Sequence, residues 1–293
     1  MSALRGIDHL VIAVNDLSAA RDRFSHFGFC TTPLGRQPWG TANHIVQFPG
    51  NFIELVGVLD PEKLVPMSDE HFSFSAHNDQ FLRGREGMSM LVLSTEDARA
   101  DAREWREHGL HVYEPVHWSR KATLPDGSEN TVAFTLTFVT NPLMPEIAFF
   151  SCQQHNPQGF WKSEYQAHEN GASGISSVTL VADQPAQYRG FFASLVDGAH
   201  IDEQADSLCV HTARGVIQVQ TPQHFTAQHP GAQLRDHTRG AVFMAAGVDV
   251  PDLGRVAACL EQSRVAFSRS DSAITLASDQ CCGVRFAFEQ SGS

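Results

Sequence analysis

His9 sits inside an apolar strand, Gly6-Ile7-Asp8-His9-Leu10-Val11-Ile12-Ala13-Val14, and three further stretches open in the same way at Gly87, Gly174 and Gly240. The matching positions there hold Met90, Ser177 and Phe243. One imidazole among four like strands marks where chemistry could sit, and imidazole is a ligand type for Zn, Ni, Fe(II) and Mn. A second group lies on the strand over 147–154, where period two places Ala148, Phe150, Cys152 and Gln154 on one face. Cys152 reads either as a nucleophilic thiol activated by a lowered pKa or as a small buried hydrophobe. Gln154 suits a ligand contact, because its amide both donates and accepts. Arg120 and Lys121 precede a turn and could clamp a carboxylate or phosphate, Arg bidentately and Lys as a point charge. A solvated hairpin edge would use the same residues.

The elements that must hold these residues repeat. Each of the four stretches continues into an acidic turn and an amphipathic helix, with more strands after, which predicts one βαβββ unit used four times. In the first unit Asn15-Asp16 offers an N-cap, Leu17, Ala20, Phe24 and Phe27 recur at helical spacing, and Gly28 ends the helix. Strands follow over 44–48 and 52–58, joined by Pro49-Gly50-Asn51. In the second unit a helix is expected from about Thr95 to His108, and a strand pair brackets Leu124-Pro125-Asp126-Gly127-Ser128. Residues 156–173 are polar and punctuated, a linker by composition, although Phe160, Trp161 and Tyr165 suggest that they pack on something. The segment 222–238, rich in Gln and His, reads as an exposed loop, and Asp249-Val250-Pro251 opens a helix.

The chain has 293 residues, a formal charge of -12 and only three lysines against eighteen arginines. No basic stripe appears, which argues against a nucleic-acid groove. No apolar run reaches membrane-spanning length, and nothing at the start resembles a secretory leader. Six scattered cysteines without CxxC spacing read as reduced thiols of a cytoplasmic protein.

A βαβββ unit used in pairs resembles the vicinal oxygen chelate superfamily, which includes glyoxalase I, extradiol dioxygenases and bleomycin-resistance proteins. Residues 7–17 and Asn51-Phe52-Ile53-Glu54-Leu55 look like its first and last strands. Pro38-Trp39-Gly40-Thr41-Ala42-Asn43-His44, Arg120 to Gly127, and Cys152-Gln153-Gln154-His155 with Phe160-Trp161 resemble a bacterial glyoxalase-like domain group. The resemblance covers nearly all of residues 1–172 and rests on pattern alone beyond.

It implies an α+β fold of four βαβββ units paired into two glyoxalase-like domains: residues 1–155 with the site, a linker over 156–173, and a degenerate second domain over 174–293. It further implies that metal ligands sit on the first and last strands, here His9 and Glu54. The matching places in the other units are Met90 and Ala148, Ser177 and Val219, and Phe243 and Ala287. Half of a four-ligand set is therefore present, and His155, His44 or His117 could supply a third ligand. Either one divalent metal (Zn, Ni, Fe or Mn) is bound, or His9 and Glu54 pair with each other on a metal-free polar floor. Trp39, Asn43, Arg120, Lys121 and Gln154 are expected to bind substrate, with Glu54 and Cys152 as catalytic candidates. The implied function is a lyase, isomerase or dioxygenase acting on a small oxygen-rich metabolite. The alternative is a non-catalytic protein that sequesters a small molecule. A homodimer is compatible with either.

Overall fold

The computed structural model describes residues 4–123 and 129–290, so the turn expected over 124–128 lies outside the described residues. The first half contains β1 (Ile7–Ala13), α1 (Leu17–His26), β2 (Gly35–Arg36), β3 (Thr41–Phe48), β4 (Asn51–Val58), α2 (Phe74–Gly84), β5 (Gly87–Ser94), α3 (Ala98–Glu107), β6 (His111–Val112), β7 (Val116–Thr123), β8 (Glu129–Thr140) and β9 (Ala148–Gln154). The second half contains β10 (Gly174–Val181), α4 (Arg189–Leu195), β11 (His200–Glu203), β12 (Ser207–His211), β13 (Val216–Gln220), α5 (Pro222–Gln228), β14 (Val242–Val250), α6 (Leu253–Gln262), β15 (Ser268–Arg269), β16 (Ala273–Leu276) and β17 (Arg285–Gln290). The acidic turns are helix caps: Asp16, Asp97 and Asp252 each accept a backbone N–H from the first turn of α1, α3 and α6. The segment expected as a loop after 221 instead opens with α5, because Thr221 caps it and Pro222 occupies its first turn.

Each half forms one mixed sheet, ordered β2-β3-β4-β1-β5-β9-β8-β6 with β7 on β8, and β11-β12-β13-β10-β14-β17-β16-β15. Within each sheet two units meet edge to edge through antiparallel first strands, β1 on β5 and β10 on β14. Last strands run parallel to first strands, as β4 does beside β1. Even the irregularities repeat. Register shifts fall between Ile7 and His9 and between Val11 and Ile12, and again between Ile175 and Ser177 and between Thr179 and Leu180. Such bulges re-aim side chains and are placed features of a sheet.

These registers correct three of the sequence alignments. Leu10 pairs Leu91 and Val178 pairs Ala246, so the local two-fold relations equate His9 with Met90, Ser177 and Ala245. Phe243 is not the fourth counterpart. Gly240, taken as the start of that strand, lies at φ 130°, where a Cβ would run into the Leu143 carbonyl, and it ends the preceding turn. Glu54 pairs Val11, and by the same relations its counterparts are Phe150, Gln218 and Ala287, not Ala148 and Val219.

The two sheets share one core. Phe24 of α1 meets Phe286 edge-on at 5.6 Å, Phe29 stacks on Phe288 at 5.6 Å, and Phe149 contacts Phe191, Phe192 and Phe243. Residues 156–173 are bound into this structure. His168 reaches the Gln47 carbonyl at 2.8 Å, Asn170 donates to the Phe27 carbonyl at 2.8 Å, and Gln47 donates to the Phe160 carbonyl at 2.9 Å. Among the described residues no helix is long and apolar enough to cross a membrane.

Candidate active site

The curved face of the first sheet encloses a cavity of about 310 Å³. His9, Glu54, Asn43 and Gln37 meet at its floor, and its walls are largely aromatic. Trp39 stands edge-on to Trp118 at 5.6 Å, and Trp118 stacks on Phe134 at 5.9 Å. Two elements outside the repeated units complete the enclosure. The segment entering α2 brings Phe72 and Phe74, and the connector between the halves brings Phe160, 5.1 Å from Phe52 and 5.7 Å from Phe134.

The floor is a chain of hydrogen bonds. His9 Nδ1 lies 2.6 Å from Asp8 Oδ1, and Gln154 Nε2 donates to Asp8 Oδ2 at 3.2 Å. A carboxylate only accepts, so Nδ1 carries a proton towards Asp8, and Nε2 faces Glu54 Oε2, 3.9 Å away. The other oxygen, Glu54 Oε1, accepts from Asn43 Nδ2 at 2.5 Å and Gln37 Nε2 at 3.3 Å. Thr41 in turn donates to Gln37 Oε1. The imidazole is clamped between rings, stacked on Phe52 at 4.1 Å with Phe150 edge-on at 5.4 Å. Asp8, His9 and Glu54 are all buried.

Several expected site residues fall here and others do not. His9, Glu54, Asn43, Trp39 and Cys152 line the cavity. Cys152 does not fit a nucleophile: burial and the nearby Asp8 and Glu54 carboxylates push its thiol well above the usual range. Gln154 holds Asp8 and is not part of the cavity wall. Lys121 is exposed opposite Thr131 and is absent from the cavity lining, and the Arg120 side chain lies outside the described residues, although its backbone pairs Val132. The proposed third ligands are elsewhere. Asn43 and Ile45 face the cavity, so His44 points away and bonds the Thr32 carbonyl at 2.8 Å. Val116 and Trp118 likewise exclude His117. His117 and His155 both bond Thr135 Oγ1, at 3.1 and 2.7 Å.

The donor set therefore does not fit a resident metal held by three or four protein ligands. The counterparts of His9 and Glu54 in the second unit are Met90 and Phe150, and among the described residues no third His, Cys, Asp or Glu joins the pair at a distance that one ion could span.

Asp8 escapes a reading by strand period, because neighbours on a regular strand face opposite sides. The bulge between Ile7 and His9 brings the two side chains together. Gln37 and Phe72 lie outside the main strands and carry no motif. For Phe160 the aromatic cluster at 160–165 was the available signal.

A family model for the glyoxalase-like domain matches residues 7–196. No curated protein sequence matches the chain. Among solved structures the fold is similar to a hypothetical protein from Staphylococcus aureus, at 15% identity and TM-score 0.71 over 98% of this chain and 100% of that one. It is also similar to a triple mutant of 4-hydroxymandelate synthase from Streptomyces coelicolor, at 10% identity and TM-score 0.58 over 99% and 93% of the two chains. Homoprotocatechuate 2,3-dioxygenase from Arthrobacter globiformis matches at 10% identity and TM-score 0.57 over 99% and 80%. At these identities the likeness is one of fold alone.

Proposed function

The chain belongs to the glyoxalase-like domain family of the vicinal oxygen chelate superfamily, and from that premise we propose that its N-terminal cup is an enzyme site for proton transfer on a small, flat, largely apolar carbonyl or phenolic compound. The observation that carries this reading is the Asp8–His9–Glu54 floor beneath aromatic walls. A base is set by geometry first, and Asp8 fixes His9 in the tautomer whose Nε2 can take a proton. His9 Nε2 and Glu54 Oε2 flank one point, 3.9 Å apart. A substrate C–H or O–H placed there gives its proton to His9, which returns it to a neighbouring substrate atom, while Glu54, held by Asn43 and Gln37, stabilises the transient imidazolium or orients the hydroxyl. The aromatic walls suit a ring or a conjugated chain, because stacked and edge-on ring contacts add to area burial.

The donor set leads us to write this chemistry without a resident metal. One observation also favours the sequestering reading: most of the cavity surface is ring or aliphatic carbon, as a binding protein would need. Deuterium exchange separates the two. Aromatic carbonyl and phenolic compounds that raise the melting temperature are incubated with the protein in D2O and followed by NMR. Wild type should exchange the proton next to the carbonyl, and His9→Ala should slow that exchange by ~10²- to 10⁴-fold while still binding. Binding without exchange in the wild type would support sequestration and overturn the enzyme reading.

A further inference from the structure

The second sheet carries ligand chemistry of its own, away from the first cavity. On its outer strands His200 stands directly opposite His211, and Asp202 opposite Cys209. Directly paired residues on adjacent strands point to the same side of a sheet. Cys209 pairs Gln218, and Gln218 pairs Thr179. Gln218 occupies the place that Glu54 holds in the first half, so His200, Asp202, Cys209 and His211 all lie on the concave face of the second sheet.

Both imidazoles aim the same atom at one carboxylate. His200 Nε2 lies 2.9 Å from Asp202 Oδ1, and His211 Nε2 lies 2.7 Å from Asp202 Oδ2. One ligand atom from each residue falls within 4.8 Å of the others, and among the described residues no other His, Cys, Asp and Glu trio meets that condition. Two Nε2 atoms and a carboxylate converging from a cross-strand ladder form a preorganised donor set, because the strands hold the three side chains in register. We propose that His200, Asp202 and His211 form a divalent-metal site for a borderline ion of the Zn2+ class. Two imidazoles and one carboxylate match that preference and leave a fourth position open to water. In the ion-bound form each imidazole carries its proton on Nδ1 and gives the Nε2 lone pair to the ion. The solvent exposure of all three side chains supplies an entry path.

The test uses the full chain, freed of metal with chelator and dialysed, then titrated with ZnCl2 by calorimetry, with bound zinc counted by elemental analysis. Wild type should take up one equivalent, and zinc should raise its melting temperature. His200→Ala and His211→Ala should each weaken binding by more than the roughly 10- to 100-fold that changes outside a ligand shell cost. Circular dichroism melts in chelator check that the variants fold, and the conservative His211→Gln variant guards against a packing effect. His9→Ala should bind zinc as the wild type does. Loss of zinc in His9→Ala with full retention in a His200→Ala/His211→Ala double variant would place the ion in the first cup and overturn the proposal. Failure of the wild type to bind would reduce the trio to a surface ion-pair network and overturn it equally.

Discussion

The two cups are built alike down to their strand bulges and differ in what stands on the floor and what closes the top. Where the first has Asp8, His9 and Glu54, the second has Ser176, Ser177 and Gln218. The first floor is buried and directed at a cavity. The second is spent on itself: Ser176 donates to Glu289 at 2.5 Å, Thr179 to Gln218 at 3.4 Å, and Gln220 to Gln218 at 3.0 Å. The roof differs as well. Phe72, Phe74 and Phe160 come from segments outside the repeated unit and enclose the first cavity, whereas α5 seats Phe225 directly on Val181, Val242, Met244 and Ala245 of the second sheet. A duplicated scaffold thus fixes positions, and function enters through a few floor residues and through the connections.

The comparison breaks at once if the second half is dispensable, and the shared core says that it is not. Phe149 of β9 is buried against Phe191, Phe192 and Phe243 of the second half. Phe149→Ala should destabilise the whole chain by about 3–5 kcal/mol, the usual range for a buried Phe truncated to Ala. Thermal or urea melts followed by near-UV and far-UV signals should keep one coincident transition. Two separated transitions would show that the halves fold independently and would undo the idea of a common core.

Acid should strain the packing of α2 beside the first cup. His77 on α2 has its pKa lowered to about 4 by burial, and its Nε2 has no hydrogen-bond partner among the described residues. A histidine with a depressed folded pKa contributes stability in full above about 6.5, and that stability is lost as pH falls towards 4. A shift of this size corresponds to at most about 3 kcal/mol, and the partial exposure of the ring trims it to ~2. Urea melts at pH 7.5, 6, 5 and 4 should show a shallower loss in His77→Gln than in wild type. Parallel curves would remove His77 from the account.

Next in size is the tie between Asp8 and His9, where the sequence was least legible. The repeated strand–helix order, the cap at Asp16 and the isolated imidazole were all visible as local patterns, because capping and periodicity act over a few residues. Asp8 was hidden, since strand alternation sends it to the far face and only a bulge brings it to Nδ1. Cys152 and Gln154 were read onto the right strand, but their roles depend on neighbours distant in sequence: Asp8 lies 146 residues from Gln154 in the chain. Glu54 was found by resemblance, and Ala287 was matched to it correctly, but Ala148 and Val219 were misplaced because residue counting cannot see register. Asp8→Asn should keep the shape and lower proton exchange by about 10- to 100-fold, the range for changes to a group that orients a functional ligand or base. An unchanged rate and pH profile would mean that Nδ1 needs no anionic partner.

The smallest expected effect is the sharpest test of what the floor alone can do. A double variant, Ser177→His with Gln218→Glu, puts the first cup's pair at the matching places in the second. The backbone register and the bulges are already equivalent, so the two side chains should come within reach of each other. In the second cup Phe225 of α5 packs on Val181, Val242, Met244 and Ala245 instead of forming the ring-lined enclosure that Phe72, Phe74 and Phe160 give the first, and Ser176 with its bond to Glu289 stands where Asp8 would have to orient the new imidazole. In a His9→Ala background, this graft should restore no measurable proton exchange and bind none of the first cup's ligands. Ser177 and Gln218 are half-buried, with no enclosing cavity at that place among the described residues, and general-base catalysis needs a substrate held against the base at hydrogen-bond distance. Recovery of exchange in the graft would show that floor residues suffice and that the aromatic roof only tunes affinity. Failure, with the graft correctly folded by circular dichroism, would assign the decisive difference between the halves to the segments that enclose the first cup.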